Sequence, residues 1–200
     1  MNINGILTLL DYADRLVTLT LNYNGGAIQD FFWTMMSSRA LWVVPAIALI
    51  AYMLRRKDLR GKTVLMLMSL AVVVALCDQT TSSFMKPFFA RLRPSHTPGL
   101  MQSLHYVGNY RGALYGFASS HAANSFGAVT FVSLWLRNRR LTVALVALAT
   151  CVCYSRIYLG VHFFGDVLAG ALIGMAYGWM AYKVAAINWI AVCTRMTLRT

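Results

Sequence analysis

Five stretches of the chain are apolar almost throughout, and the residues between them are basic or turn-forming. The stretches are Ala40–Leu54, Thr63–Met85, Ala113–Leu136, Leu141–Tyr154 and Val161–Tyr182. Helices that are apolar all round belong in a hydrocarbon core of about 30 Å, so each is predicted to be a transmembrane helix. Ala40–Leu54 is short, but Arg39, Arg55 and Arg56 at its ends can snorkel, and Phe31–Met36 can lengthen it. In the last stretch Gly170, Gly174 and Gly178 recur every four residues, which makes a smooth face for close helix packing.

The chain before the first span has another period. Asn4, Thr8, Asp11, Arg15, Thr18 and Asn22 form one polar stripe at steps of four and three, with Ile6, Leu7, Leu10, Ala13, Leu16 and Val17 filling the rest. Such a helix is expected to lie in the membrane interface. Asn24-Gly25-Gly26 breaks it before a second short helix near Ala27–Ser37. The expected fold is therefore an all-α integral-membrane bundle of about five spans in a single domain. It divides into interfacial helices (1–38), the bundle (39–182) and a C-terminal tail (183–200). The apolar segment Val184–Cys193 either extends the last helix or folds onto the surface.

Composition agrees with this. In 200 residues the apolar fraction is 58% and only 12% are charged, against roughly 45–50% and 25% in soluble domains. That excludes a disordered chain, a disulfide scaffold and an ordinary water-soluble enzyme. Cys77, Cys151, Cys153 and Cys193 all sit in apolar runs and read as small buried hydrophobes, with no metal role. The N-terminus lacks a basic region and a cleavage site, so no removable signal peptide is expected. Eighteen Lys and Arg against six acids leave a net charge of +12. Arg55, Arg56, Lys57, Arg60 and Lys62 occupy one loop, and Arg137, Arg139 and Arg140 another on the same side. The positive-inside rule makes that side cytoplasmic.

The opposite side collects Lys86, Arg93, Ser119, Ser120, His121, Arg156, His162 and Asp166 near helix ends. Ionisable groups at a membrane are costly and mark functional sites. The three cations suit a phosphate dianion. Ser119 and Ser120 add hydroxyl and backbone donors at a helix start. Asp166, four residues after His162, can fix the imidazole tautomer and raise its basicity. His121 comes from a different helix and can act as general acid on the far side of the phosphorus. Asp78, about two helical turns before Lys86, and Arg111 are candidate supports behind the cationic pocket. The long loop that holds His96, His105 and Arg111 is a candidate lid or headgroup selector.

Lys86-Pro87-Phe88-Phe89-Ala90-Arg91-Leu92-Arg93-Pro94 resembles the K-x6-R-P motif of the type 2 phosphatidic acid phosphatase superfamily. Ala118-Ser119-Ser120-His121 resembles its P-S-G-H motif, with Ala118 for Pro and Ser120 for Gly. Ser155-Arg156 through His162 to Asp166 matches S-R-x5-H-x3-D. The resemblance implies a lipid phosphate phosphatase with no metal or other cofactor. It implies that His162 attacks phosphorus to form a phosphohistidine, that Asp166 holds His162, and that His121 protonates the leaving oxygen. Lys86, Arg93, Ser119, Ser120 and Arg156 would hold the phosphoryl group. Vanadium haloperoxidases resemble the same motifs but are soluble, and a lipid phosphotransferase would use the same histidine chemistry. The partners implied are a lipid phosphate and the bilayer, with no nucleic acid and an open oligomeric state. Undecaprenyl diphosphate or lipid A 1-phosphate is the expected substrate, with phosphatidylglycerol phosphate as the alternative. The expected location is the inner membrane, with the site on the extracytoplasmic face.

Overall fold

The glycine face of the last helix organises the bundle. In this computed structural model, which describes residues 2–197, helix α9 (Phe164–Thr197) packs along helix α7 (Ser120–Leu136) more extensively than any other pair. A Cβ at Gly170 would collide with the Ser119 carbonyl oxygen, one at Gly174 with that of Ala123, and one at Gly178 with that of Gly127. Backbone therefore meets backbone along three turns. Around this pair stand α5 (Thr63–Asp78) and α8 (Arg139–Tyr158). Helix α5 turns Met66, Val73 and Cys77 inward, and a Cβ on Gly127 would press on Val73 and Cys77. Its outward Val64, Met68 and Val72 are exposed, as a lipid-facing surface requires.

The remaining elements surround this core. Helix α1 (Ile3–Leu21) is followed by α2 (Gly26–Met36), a 3₁₀ turn at Arg39–Trp42, α3 (Val43–Arg55) and the single turn α4 (Lys57–Arg60). Helix α5 continues through a π-helical turn at Gln79–Met85 into α6 (Lys86–Phe89), one continuous run from Thr63 to Phe89. The basic loops meet at one end, where Arg56, Arg137, Arg139 and Arg140 line a single pocket of about 500 Å³. Among the described residues Cys77, Cys151 and Cys153 are free, and no three His, Cys, Asp or Glu side chains are grouped to hold a metal ion. Cys193 lies outside the described side chains.

The helical membrane architecture is as expected, with differences in its elements. Among the described residues three helices are alone long and apolar enough to cross a membrane: Thr63–Phe89, Arg139–Tyr158 and Phe164–Ile187. Gly26–Met36 and Arg39–Arg55 pass the same test only together, as a pair bent by 61°. A pair bent in this way has the geometry of a broken span or of a re-entrant loop. The third expected span is shorter than its apolar run: helix α7 begins at Ser120, where Ser119 caps it. Residues 113–118 are instead loop, and their backbone pairs with Arg91–Arg93. The 17 residues of α7 reach roughly 25 Å. The last helix begins at Phe164, leaving His162 just outside it, and runs on past residue 183 to Thr197 without a break. The three residues after Thr197 lie outside the described residues.

Helix α1 also differs in the direction of its faces. The C-terminal end of its polar stripe turns inward: Thr18 and Asn22 are buried, and Asn22 Nδ2 donates to the carbonyls of His105, Ile157 and Tyr158. Leu7, Leu9, Leu10 and Leu16 face out. The stripe satisfies protein groups at the membrane edge, where water would have served in a soluble protein.

Gly174→Val should destabilise the fold by about 1–3 kcal/mol or more, because the Ala123 backbone cannot retreat. Thermal unfolding of the detergent-purified protein measures this, and an unchanged melting temperature would refute the glycine contact.

Candidate active site

The site lies at the end of the bundle opposite the basic loops, where three chain segments are locked together by backbone. After α6 the chain reverses at Ala90, whose φ is 45°. Arg93 N–H donates to the Leu114 carbonyl (3.0 Å) and Gly116 N–H to that of Arg91 (2.9 Å), so Arg91–Arg93 lies antiparallel to Leu114–Gly116. Ser119 N–H donates to the Asp166 carbonyl (2.9 Å), joining the starts of α7 and α9. Gly116 lies against the third segment, where a Cβ would come within 2.8 Å of Asp166 Oδ2.

His162 follows Gly160, whose φ of 68° turns the chain after α8. Its Nδ1 is 3.3 Å from Asp166 Oδ2, which also accepts the Phe163 N–H at 3.1 Å. Its Nε2 is 3.3 Å from Arg93 Nη1. Asp166 on one side and an arginine on the other select the tautomer with hydrogen on Nδ1 and the lone pair on Nε2. Burial lowers the His162 pKa well below its ordinary 6.5, and Arg93, Arg156 and Lys86 push the same way. The ring is neutral at physiological pH, as a nucleophile must be.

The three cations are anchored separately. Arg93 donates from Nε to the Tyr115 carbonyl (3.1 Å) and from Nη1 to that of Val161 (3.1 Å). Arg156, at the end of α8, donates to the Ser37 hydroxyl and to Tyr110 Oη (3.2 Å). Arg156 is only 3% exposed, and its Nε has no hydrogen-bond partner. Burial raises the Tyr110 pKa, but Arg156 outweighs it and the net shift is downward. Lys86 Nζ donates to Ser120 Oγ (2.7 Å) and Ser82 Oγ (3.3 Å).

The other expected residues fall into place around these. Ser119 is buried and caps α7, its Oγ accepting the Ala122 N–H at 3.5 Å. Ser120 Oγ, where the family motif has glycine, joins Lys86, Ser82 and Thr81. His121 lines a large cavity with Ser38 and Arg39. Asp78 accepts from Ser82 Oγ (3.2 Å), one hydroxyl away from Lys86. Arg111 is separate: it stacks on Tyr106 at 3.5 Å, and its carbonyl accepts from Ser95. His105 pairs with Asp30 (2.8 Å), and His96 Nδ1 faces the Ser95 hydroxyl.

Sequence reasoning missed Arg91, Asp14, Ser37 and Tyr110. Arg91 is an unspecified position inside the first motif, yet its Nη1 donates to Asp166 Oδ1 at 2.8 Å. Asp14 lies on the inward face of α1 between Asp11 and Thr18, one turn from each, and that spacing was the available signal. Nothing local marks Ser37 or Tyr110.

Beside the site a cavity of about 1110 Å³ opens between α3, α5, α7 and α8. His121, Ser120, Asp78 and Arg39 form its polar end; Trp42, Leu49, Leu70, Val74 and Leu145 line the rest. A polar head beside an apolar slot is the shape that receives a lipid phosphate.

The PAP2 superfamily profile matches residues 62–190, and the chain belongs to that family. Two relatives are lipid A 4′-phosphatases. That of Porphyromonas gingivalis is 37% identical over 181 residues, covering 89% of this chain and 76% of the relative. That of Bacteroides thetaiotaomicron is 38% identical over 177 residues, covering 86% and 78%. Among solved structures, a PAP2-type phosphatidylglycerolphosphate phosphatase from Bacillus subtilis has a TM-score of 0.65 at 20% identity, covering 88% of this chain and 86% of the other. Aquifex aeolicus LpxE has a TM-score of 0.61 at 23% identity, covering 84% and 93%. The protein is a multi-pass membrane lipid phosphatase.

The depressed His162 pKa carries a linkage consequence. The unfolded chain protonates this imidazole near pH 6.5 and the native protein does not, so the unfolded state binds more protons below that pH. The His162 contribution to stability should therefore fall by up to about 1.4 kcal/mol per pH unit below 6.5, until the native ring also titrates. Thermal unfolding from about pH 7.5 down to about 5 reads the slope. His162→Gln should flatten it, and an identical slope in that variant would contradict the shift.

Proposed function

We propose that the chain acts as a single membrane phosphatase domain that removes a phosphate monoester from lipid A, with the 4′-phosphate as first candidate. The observation that carries the phosphoryl chemistry is the buried, partnerless Arg156 Nε beside Arg93, Lys86 and a neutral His162. A buried polar group without a partner calls for a ligand, and here the surrounding charge calls for an anion. The names of the two relatives support lipid A over the expected undecaprenyl diphosphate and lipid A 1-phosphate. The apolar cavity supports a ligand with acyl chains.

The chemistry proceeds in two displacements. His162 Nε2 gives its lone pair to phosphorus as the bond to the lipid oxygen breaks, and Asp166 stabilises the imidazolium that forms. His121 gives a proton to the departing oxygen; a phosphate dianion beside the ring favours its charged form. Water then attacks the phosphohistidine, His121 takes its proton, and the phosphorus–nitrogen bond breaks to free inorganic phosphate. Lys86, Arg93 and Arg156, with donors from Ser119 and Ser120, hold the three phosphoryl oxygens and supply the charge without a metal ion. The basic loops at the far end favour a site on the extracytoplasmic face of the inner membrane.

Phosphate release by purified protein tests this, using lipid A, phosphatidylglycerol phosphate and undecaprenyl diphosphate in excess chelator. Lipid A should be turned over, vanadate should inhibit, and His162→Ala should be inactive. Arg156→Ala should lose about 10²–10³-fold in kcat with its melting temperature kept. Turnover like the wild type in His162→Ala would end the assignment. Transfer of the phosphoryl group to an added lipid acceptor, with no inorganic phosphate released, would make the protein a phosphotransferase.

A further inference from the structure

Helix α1 reaches the candidate catalytic pair at several points, and two of them share one side chain. Asp14 Oδ2 accepts from Arg91 Nη2 at 2.7 Å, and Arg91 Nη1 donates to Asp166 Oδ1 at 2.8 Å. Asp14 Oδ1 accepts the Gly165 N–H at 2.7 Å. Thr18 Oγ, one turn further along α1, accepts the Phe164 N–H at 3.1 Å. Phe164 and Gly165 open α9, and the first amides of a helix have no partner within it. Helix α9 therefore starts, two residues after His162, on a cap that another helix provides. The contact has space made for it: a Cβ at Gly165 would come within 2.8 Å of Asp14 Oδ2. Arg91 also lies over the Phe163 ring at 4.3 Å, so this bridge spans the whole turn from His162 to Asp166. Asp11 meets Arg91 at 3.4 Å but is half-exposed and shared with Arg15 at 2.7 Å. Asp14 is the better buried of the two acids.

We propose that Asp14 is a positioning residue for the His162–Asp166 pair. It orients Asp166 through Arg91 and fixes the first turn of α9 through Gly165. This rests on the reading of His162 as nucleophile and Asp166 as its orienting carboxylate. Asp14 touches no phosphoryl-binding side chain, so its loss should act on the chemical step and leave binding intact.

The test uses the full chain in detergent, with lipid A and phosphatidic acid as substrates. Asp14→Asn keeps an oxygen for the Gly165 N–H but removes the charge that holds Arg91. It should lower kcat about 10- to 100-fold through misplacement of the pair, with KM within about twofold. Gly165→Ala, which displaces Asp14 from the other side, should do the same. Nitrogen-15 spectra of histidine-labelled protein give a readout independent of turnover. The His162 signals, identified by their loss in His162→Ala, should report a single Nδ1-protonated ring in the wild type and a mixture in Asp14→Asn. Asn22→Ala loosens α1 elsewhere and should leave both kcat and the His162 signals unchanged. Wild-type kcat and spectra in Asp14→Asn would overturn the proposal, and so would equal losses in Asn22→Ala. Activity surviving in His162→Ala would instead overturn the catalytic reading, while the spectra would still decide whether Asp14 orients the ring.

Discussion

The contact on which the rest depends is the approach of α9 to α7 across Gly170, Gly174 and Gly178. In a bilayer, water does not drive two helices together, so packing and backbone proximity must do so. Three glycines let α9 settle on the carbonyls of Ser119, Ala123 and Gly127, and this sets both distance and register. At the upper end that register brings the Ser119 amide onto the Asp166 carbonyl. The segment carrying Ser119, Ser120 and His121 and the one carrying His162 and Asp166 are thereby joined by a main-chain hydrogen bond.

Electrostatics then shape what the glycine seam assembles. Lys86, Arg93 and Arg156 converge on one small volume, a repulsive arrangement in the absence of an anion. Each is held by neutral oxygens: hydroxyls for Lys86, carbonyls for Arg93, and Ser37 with Tyr110 for Arg156. Among the described residues no acid forms a direct ion pair with them. Asp166, Asp14 and Asp11 are engaged by Arg91, a fourth cation on the other side of His162. His162 therefore stands between Asp166, which Arg91 engages, and Arg93, which has no acid for a partner. Fixed charge that need not reorganise during reaction is the most effective kind.

Much of this was legible in the sequence because it depends on spacing. The glycines at intervals of four, the His–Asp pair four apart and the order of the three motifs all survive projection onto one dimension. What was lost depends on direction and on distant partners. The polar stripe of α1 was visible, but its period is the same whether it faces water or protein, and only Asn22 on the carbonyls of Ile157 and Tyr158 shows which. Arg91 was hidden because a motif letter records conserved chemistry at its ends and treats the middle as filler. The run from Ala113 read as helix because apolar content says nothing of backbone pairing, and Gly112 and Gly116 sit where glycine is needed for φ or for space.

The antiparallel pairing of Arg91–Arg93 with Leu114–Gly116 has one more consequence. It works as a clasp at the neck of the intervening loop, whose two ends are fixed by main-chain bonds that any residue can make. Beyond the clasp the loop returns to the cationic cup at Tyr110, whose hydroxyl meets Arg156. Such a layout leaves the side chains at the neck free to vary while the main chain keeps the two ends of the loop in register.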